Sequence, residues 1–419
     1  MKYDQFKYCF KNTIAYRFCL IYLCFFASQN HQLKAAIITG AARFSEYVPT
    51  LKGKRLGIVA NHTSTVGTTH LVDTLLAQGL EIKKIFAPEH GFRGNSANGE
   101  HVNNAIDLKT RLPIVSLYGK QKKPSAKELR NLDAIIFDMQ DVGVRFYTYL
   151  TTMHYIMEAC AENHIALWVL DRPNPNGHYI DGPILDPKFV QSMVGLHPIP
   201  LVHGMTLGEL AMMIKGEKWI AKAQKLSLFV IPVKHYDHNT EYEIPIPPSP
   251  NLPTQASIIL YPSLGLFEGT IMSMGRGTPW PFEVLGAPWF QEGTFEFTPI
   301  SIPGKAIKPP YEGQLCKGLH LNNFAKDYLK DYQRIYLVWL IEMYKSFGSK
   351  PEFFNSFFDK LAGTPQLRTQ IIAGKSEKEI RKSWESDLNT FRKLRRQYLI
   401  YAHDEERGIL HPTKTSQKP

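Results

Sequence analysis

Glu89, His90 and Arg93 stand close together in the segment IFAPEHGFRG, directly after an apolar stretch that is typical of a buried strand. A glutamate beside apolar neighbours such as Phe86 and Phe92 can have its pKa raised, and a proton donor needs that. The same spacing also suits helix capping or an ion pair between Glu89 and Arg93, so spacing alone leaves both interpretations open.

Four further predicted strands also end in polar, chemically capable side chains. Those side chains are Asn61 and His62 after the first strand, Tyr118 after the third, Asp138, Gln140, Asp141, Arg145 and Tyr147 after the fourth, and Asp171, Arg172, Asn174 and Asn176 after the fifth. Ligands of an open parallel sheet bind outside the carboxyl ends of its strands. We therefore expect the residues at these five strand ends to share one site.

Two of these strand ends allow a more detailed interpretation. Asp171 and Arg172 resemble a structural pair that braces its loop, whereas the amides of Asn174 and Asn176 suit sugar hydroxyls. A helix is predicted to contain both Tyr147 and Tyr149, and residues two apart on a helix do not share a face. Only one of the two tyrosines is then expected to face the cleft.

A second chemically capable group lies in the segment FEGTIMSMGRGTPWPFE, where Glu268 and Arg276 supply opposite charges. The glycines of this segment allow the backbone to come close to a ligand. Trp280 and Phe282 are large enough to stack on a sugar ring or to pack in a core, and the pattern does not choose between these roles.

The motifs of several common enzyme classes are missing from the sequence. It contains no GxGxxG after the first strand, no GxxxxGK[ST] phosphate loop, no GxSxG elbow and no HExxH pair. We therefore expect no cofactor and no metal. A metal-dependent hydrolase that uses His62, His90 and Asp138 stays open as an alternative.

The elements that must position these residues follow from hydrophobic periodicity. Between residues 36 and 195, short apolar strands alternate with amphipathic helices, which predicts an α/β domain with a mostly parallel sheet covered on both faces. Ser125 is a predicted N-cap, and Thr206 with Glu209 forms a predicted capping box. Residues 196–419 lack this alternation and predict a second, α+β region that ends in helices.

The N-terminus has the pattern of a secretory signal peptide, predicted over residues 1–28. Four basic residues precede the short apolar run FCLIYLCFFAS, which is too short for a confident membrane span. We therefore expect a periplasmic or secreted protein without a membrane span after signal removal. Cys160 and Cys316 then remain, either as one disulfide or as two buried thiols.

The chain carries a formal net charge of +11. Its densest basic runs are RKLRR, residues 392–396, and KQKK, residues 120–123. The first lies in an amphipathic helical pattern, where a solvated face is the simpler interpretation. Nucleic acid is therefore not an expected partner, and nothing in the sequence determines the oligomeric state.

Several long motifs, in order along residues 40–402, resemble one bacterial family. These motifs are APEHGFRG, LYG, FDMQDVGVRFYTY, DRPNPNG, HGMTLGEL, FEGT..S.GRGT, PFE..GAPW and LAGT…W…F…R..YL.Y. The family is that of the NamZ exo-acting β-N-acetylmuramidases, glycoside hydrolase family 171. The resemblance implies a Rossmann-like domain, a smaller C-terminal domain and an active site between them.

The resemblance also implies a reaction and a catalytic acid. It implies release of N-acetylmuramic acid from the non-reducing end of peptidoglycan fragments, with Glu89 of the P-E-H-G motif as the general acid. The matching polar residues, to which we add Asn61 and His62 as substrate contacts, are His90, Arg93, Asp138, Gln140, Arg145, Tyr147, Asp171, Arg172, Asn174, Asn176, Glu268 and Arg276. We assign His90 and Glu268 to catalysis and the others to substrate binding.

Three questions stay open at this point. The second catalytic group is Glu268, Asp138 or Asp141, or else the 2-acetamido group of the substrate. The lactyl carboxylate of muramic acid calls for an arginine, with Arg93, Arg145, Arg172 and Arg276 eligible. Ile271 and Met274 replace an amide and an acid of the family pattern, and they alter ligand preference only if they touch substrate.

A non-catalytic periplasmic protein that binds muropeptides is the rival function.

Overall fold

The computed structural model describes residues 35–88, 91–93, 105–119, 121–188 and 192–401. The residues from Ile38 onward belong to one compact unit. Within the described ranges, no helix is long and apolar enough to cross a membrane. The predicted signal peptide, residues 1–28, lies outside the described residues, as do Glu89 and His90.

A seven-stranded sheet forms the centre of the fold. The described strands are β1 (Arg55–Ala60), β2 (Thr65–Val66), β3 (Thr69–His70), β4 (Glu81–Ala87), β5 (Ala105–Ile106), β6 (Pro113–Ser116), β7 (Ala134–Asp138), β8 (Ala166–Leu170), β9 (Asp181–Ile184), β10 (Pro200–Val202), β11 (Leu228–Ile231), β12 (Val284–Ala287), β13 (Phe295–Phe297) and β14 (Cys316–His320). The central sheet has the order β11-β8-β7-β1-β4-β6-β5. Its pairs are parallel except for β5 with β6. The predicted α/β class with a mostly parallel sheet is confirmed.

Helices cover both faces of this sheet and make up most of the C-terminal region. The described α-helices are α1 (Phe44–Leu51), α2 (Leu71–Ala77), α3 (Ala126–Leu129), α4 (Tyr149–Asn163), α5 (Leu207–Gly216), α6 (Gln255–Leu264), α7 (Asn322–Phe324), α8 (Lys330–Tyr332), α9 (Val338–Ser346), α10 (Phe358–Ala362), α11 (Gln366–Ile372) and α12 (Glu377–Arg395). A π-helix, Ala325–Leu329, joins α7 to α8. Short 3₁₀ turns occupy Gly40–Ala42, Ala223–Lys225, Gly265–Gly269 and Pro351–Phe353.

The predicted helix starts are confirmed. The Ser125 hydroxyl caps α3, and Thr206 forms a capping box with Glu209 at the start of α5, so each cap satisfies backbone amides that the first helical turn leaves free. The apolar face of α12 is buried at Ile380, Trp384 and Leu388.

The two faces of the central sheet belong to two apolar clusters. Ile58 and Ile136 pack on one side with α1 and α2. Val59 and Phe137 pack on the other side, in a cluster that runs on through α4 and α5 into the C-terminal helices. Because this larger cluster is continuous, the loops at the sheet edge and the C-terminal region are held against each other by one core.

The C-terminal region contains its own antiparallel sheet, β12-β14-β13, and is the smaller α+β part that the sequence predicts. The central sheet nevertheless takes its edge strand β11 from beyond residue 195.

Cys160 and Cys316 are both buried free thiols, which decides between the two alternatives left by the sequence. Burial raises the pKa of Cys316 to about 11, so this thiol stays protonated and unreactive at neutral pH.

Candidate active site

A cavity of about 390 Å³ opens at the carboxyl edge of the central sheet. The residues that line it come from several segments: Tyr118, Phe146, Tyr147, Thr148, Tyr149, Ser192, Met193, Val194, Ser249, Asn251, Leu252, Tyr261, Glu268, Arg276, Phe282, Phe357, Lys360 and Leu361. Tyr147, Glu268 and Arg276 are the predicted site residues that the structure brings together here. The other described site residues are not part of this lining.

Glu268 and Arg276 form the charged pair of the cavity. One terminal nitrogen of Arg276, Nη2, lies 3.2 Å from each carboxylate oxygen of Glu268. The Arg276 guanidinium carbon also lies 5.5 Å from the centre of the Phe282 ring. Both charged side chains are about one-fifth exposed, at 23% for Glu268 and 20% for Arg276, so a ligand in the cavity can reach them.

Two glycines place Arg276 in the cavity wall. Gly275 and Gly277 have φ values of +83° and +82°, a backbone region that disfavours other residues. A Cβ on Gly275 would also lie 2.4 Å from the carbonyl oxygen of Trp280. The GRG motif is therefore a backbone requirement for presenting the arginine.

Tyr147 and Tyr149 both line the cavity, so the prediction that only one of them faces the cleft is wrong. The helix α4 begins at Tyr149, and helical spacing therefore does not relate the two residues. Their hydroxyls donate to the same carbonyl oxygen, that of Pro248, at 2.8 and 3.2 Å. Asn61 in turn donates to the Tyr149 hydroxyl at 2.7 Å.

The amide side chains that were predicted to contact sugar form hydrogen bonds within the protein instead. The Asn174 side chain donates to the Met205 carbonyl, and the Asn176 side chain donates to the carbonyls of Val142 and Ile258. Gln140 donates to the backbone of Asp141 and Pro173. The Asn61 carbonyl oxygen of the side chain accepts from Thr63. All four amides are at most 3% exposed, and they hold the strand-end loops in place.

Arg172 pairs with Asp138, and the predicted Asp171–Arg172 pair is wrong. The Arg172 guanidinium contacts both Asp138 oxygens, at 2.5 and 2.9 Å, and the pair is buried. Asp171 instead accepts from Thr206, Tyr401 and the Gly208 amide. Burial raises the pKa of Asp171 to about 6, against these hydrogen bonds. Residues adjacent in an extended segment point apart, which explains why they have different partners.

Arg145 is a buried structural cation. Its two terminal nitrogens donate to four carbonyls, those of Pro183, Ile199, Leu361 and Ala362, at 2.7–3.0 Å. Burial lowers its pKa to about 9, and the side chain is still charged at neutral pH. The LAGT motif thus supplies acceptors for the arginine of FDMQDVGVRFYTY, which removes Arg145 from the groups able to contact substrate.

Arg93 is tied to two carboxylates beside the Glu89 segment. It makes two contacts of 2.8 Å with Asp107 and one of 3.3 Å with Asp73, and the Asp107 hydrogen bonds raise its pKa. The Gly91 amide donates to the Pro88 carbonyl, so the described residues on both sides of the EH pair are anchored. Leu117 donates to the Ala87 carbonyl, which puts the end of β4 beside the segment that carries Tyr118 into the cavity.

His62 is not part of the described cavity lining. Its Nε2 donates to the Pro247 carbonyl at 2.8 Å, and burial lowers its pKa. Among the described residues, no group of three or more His, Cys, Asp or Glu side chains is placed to hold a metal ion, and His90 is not among those residues.

The buried carboxyl of Asp141 should make the free energy of unfolding depend on pH. Burial raises the pKa of its carboxyl to about 7, and within the described part of the chain its Oδ1 has no hydrogen-bond partner. Between about pH 4 and pH 7 the folded state therefore keeps a proton on Asp141 that the unfolded chain releases. The free energy of unfolding accordingly falls as pH rises through this range. Asp141→Asn keeps the acceptor for Gly143 but cannot ionise.

We expect Asp141→Asn to gain stability relative to wild type between pH 5 and pH 8, by on the order of 2–4 kcal/mol. Urea unfolding of both proteins at the two pH values measures this difference. An equal difference at both pH values would show that Asp141 does not retain its proton in the folded state.

The sequence interpretation missed several cavity residues. Lys360, on α10, is exposed at the cavity and has no ion-pair partner among the described residues. Ser192 to Val194, Asn251 and Phe357 also contribute to the lining. The LAGT motif directly after Lys360 was the available signal, because it marks where the C-terminal region meets the site.

Ile271 and Met274 do not line the cavity: they pack with the core, so they do not alter its surface.

Comparison with known proteins adds a family to this geometry. Two family models, "exo-beta-N-acetylmuramidase NamZ, N-terminal" and its C-terminal counterpart, match residues 56–256 and 259–401. A curated relative, peptidoglycan beta-N-acetylmuramidase NamZ of Bacillus subtilis (strain 168), is 41% identical over 374 residues, which is 85% of this chain and 89% of the relative.

Two solved structures of DUF1343 family proteins from Bacteroides fragilis NCTC 9343 have the same fold. The first has a TM-score of 0.82 and 47% identity, and the match covers 88% of this chain and 100% of the solved one. The second has a TM-score of 0.74 and 29% identity, with 87% and 99% covered. The similarity therefore extends over the central sheet and the C-terminal region together.

Proposed function

The chain belongs to the NamZ family of exo-β-N-acetylmuramidases, and on that premise we propose that it is a glycosidase of peptidoglycan that removes N-acetylmuramic acid from the non-reducing end. The observation that carries this proposal is the cavity of about 390 Å³ that holds Glu268 and Arg276 at the carboxyl edge of the sheet. Its volume is at the low end for ligand pockets, which suits one terminal sugar.

Exo action is supported by how the cavity is enclosed. Two aromatic residues of its lining, Tyr147 and Tyr261, offer apolar faces to a sugar ring. Val194, near the end of the α/β region, and Phe357, in the C-terminal region, also line it. Walls on several sides suit a chain end better than the middle of a glycan strand.

We assign the general acid to Glu89, at the end of β4. In the proposed reaction its carboxyl gives a proton to the glycosidic oxygen as the bond from C1 to that oxygen breaks. Water supplies the hydroxyl group that is added to C1, and the remaining proton of that water goes to a carboxylate. The end of β4 adjoins the segment that carries Tyr118 into the cavity, which supports this assignment.

Glu268 is the second catalytic group that the cavity favours. Among the three candidate carboxylates, Asp138 is used by Arg172, and neither Asp138 nor Asp141 is part of the described cavity lining. Glu268 lines the cavity as an ion pair with Arg276. We propose that it acts at C1, either as a nucleophile or as a base toward water.

Arg276 and Lys360 are the cations we propose to bind the lactyl carboxylate. Of the four eligible arginines, Arg276 belongs to the described cavity lining, whereas Arg93, Arg145 and Arg172 do not. A charge-assisted hydrogen bond in a partly buried site contributes about 1.5–3 kcal/mol, and an exposed ion pair contributes about 0.2–1 kcal/mol. Arg276 should therefore contribute more than Lys360.

The test compares N-acetylmuramic acid with N-acetylglucosamine as competitive inhibitors, since the two sugars differ by the lactyl group. We expect Arg276→Gln to weaken inhibition by the muramic acid about 10–100-fold and Lys360→Gln about 2–5-fold, with little change for the glucosamine. Lys350→Gln, an exposed residue outside the described lining, is the matched control. Unchanged preference in both variants would contradict this assignment.

A further inference from the structure

The proline loop, residues 242–254, leads into α6 and contains five prolines. Proline has no backbone N–H and therefore cannot donate a backbone hydrogen bond. In the part of the chain that the structure describes, no backbone amide of residues 242–248 donates to another backbone group. The hydrogen bonds that fix this half of the loop must therefore come from side chains that donate to its carbonyls.

Three side chains supply such donors. The Nε2 atom of His62 lies 2.8 Å from the Pro247 carbonyl oxygen, and the hydroxyls of Tyr147 and Tyr149 donate to the Pro248 carbonyl at 2.8 and 3.2 Å. A carbonyl oxygen only accepts, so Nε2 of His62 carries a proton whether the ring is neutral or charged. The three donors belong to the segments that follow β1 and β7, which are neighbours in the central sheet.

The turn that carries His62 is held by hydrogen bonds of its own. The Asn61 amide donates to the Ser64 hydroxyl oxygen at 3.0 Å, and the Thr63 amide donates to the Asn61 side-chain oxygen at 2.9 Å. The Ser64 hydroxyl donates to the Asp138 carbonyl at 2.5 Å. None of these bonds uses the His62 side chain, so a substitution of His62 should leave the turn in place.

The next part of the proline loop forms part of the cavity wall. Ser249, Asn251 and Leu252 line the cavity of the candidate active site, and they follow directly after the carbonyls that the three side chains hold. The Asn251 side chain donates to the Lys305 carbonyl at 3.0 Å, which fixes its orientation. A shift of the Pro247 carbonyl would therefore displace this wall.

We propose that His62 is a positioning residue of the sugar site, which acts through the Pro247 carbonyl to hold the proline loop where Asn251 meets the terminal sugar. The inference rests on the proposed function for the identity of that sugar. Tyr147 and Tyr149 hold the same loop but also line the cavity, whereas His62 is not part of the described lining. Loss of the His62 hydrogen bond should therefore weaken sugar binding and leave the bond-breaking step unchanged.

Three variants at this one position test the proposal. We expect His62→Ala to raise KM for a chromogenic β-linked N-acetylmuramide about 3–10-fold, with kcat changed by less than about twofold and Tm by less than about 3 °C. His62→Gln places its amide nitrogen near the position of Nε2 and should restore KM to within about twofold of wild type. His62→Asn reaches only to the position of Nδ1 and should behave as His62→Ala. An unchanged KM in His62→Ala, or equal KM values in the Gln and Asn variants, would overturn the proposal.

Two further readouts separate positioning from a chemical role. The pH dependence of kcat/KM should have the same shape in His62→Gln and in wild type, and loss of one limb would show that His62 itself is an acid or base. In an Asn251→Ala background, His62→Ala should raise KM by a clearly smaller factor, because the loop then has less contact with the sugar to lose. The same factor in both backgrounds would contradict action through Asn251.

A binding measurement distinguishes failure of this inference from failure of the proposed function. If wild type hydrolyses no muramide, the proposed function is wrong. The Kd of N-acetylmuramic acid, measured by calorimetry on the same variants, should then follow the pattern expected for KM. Equal Kd values for wild type and His62→Ala would overturn the inference whatever the hydrolysis assay shows, and no binding to wild type would contradict both.

Discussion

Replacing Glu89 with glutamine lowers kcat on peptidoglycan fragments by about 10²–10⁴-fold, the contribution expected of a general acid. Glutamine has the size of glutamate but no carboxyl proton to give to the leaving glycosidic oxygen. Because glutamine keeps the shape and hydrogen-bonding capacity of the glutamate side chain, we expect KM and Tm to stay close to their wild-type values. The readout is release of N-acetylmuramic acid from a fragment that carries it at the non-reducing end.

An activated substrate separates proton donation from other roles of Glu89. A dinitrophenyl leaving group needs no proton, so Glu89→Gln should hydrolyse a dinitrophenyl muramide far better than it hydrolyses peptidoglycan fragments. Glu292→Gln, an exposed position, is the control and should behave as wild type. If both substrates lost the same factor, Glu89 would have a role other than the acid. A binding protein would show no turnover to lose, and inhibition by a chelator would favour the metal-dependent alternative.

Replacing Arg145 with methionine destabilises the protein by about 3–5 kcal/mol. Methionine fills part of the space of the arginine stem but leaves four buried carbonyls without their donors, among them those of Leu361 and Ala362. Urea unfolding measures the loss. Activity per folded molecule at low temperature should change little, because Arg145 does not line the cavity.

Three further variants separate this structural role from substrate binding. Arg145→Lys keeps the charge but has fewer donors, and it should lose part of the stability. Gly363→Ala should also destabilise, because its φ is +79° and the added Cβ would lie 2.5 Å from the Arg145 Nη2. Arg368→Met, which breaks a partly exposed pair with Asp359, should cost less than about 1 kcal/mol. A raised KM with unchanged stability in Arg145→Met would instead support substrate binding.

The central sheet was predictable because its signals are local. Apolar strands such as Arg55–Ala60 and caps such as Ser125 and Thr206 are determined by neighbours in the chain. The edge strand Leu228–Ile231 was not predicted, because it joins the sheet through a crossover from a region without clear alternation. Pairing over that distance has no local signal.

The site was harder to predict than the fold. Polar residues after strands can contact a ligand or satisfy buried backbone, and residue type does not separate the two uses. The side chains of Asn174, Asn176 and Arg145 donate hydrogen bonds to backbone carbonyls. Glu268 and Arg276, in contrast, line the cavity. Lys360 is remote in sequence from every strand end, so only the folded chain brings it to the site.

The most direct test of the account is to assay the purified protein on three substrates: a chromogenic β-linked N-acetylmuramide, the matching N-acetylglucosaminide, and a disaccharide with muramic acid at its non-reducing end. We predict hydrolysis of the muramide and release of N-acetylmuramic acid from the disaccharide, with little or no cleavage of the glucosaminide. Cleavage of the glucosaminide at a similar rate would contradict recognition of the lactyl group. No release from either muramic substrate would contradict the proposed function.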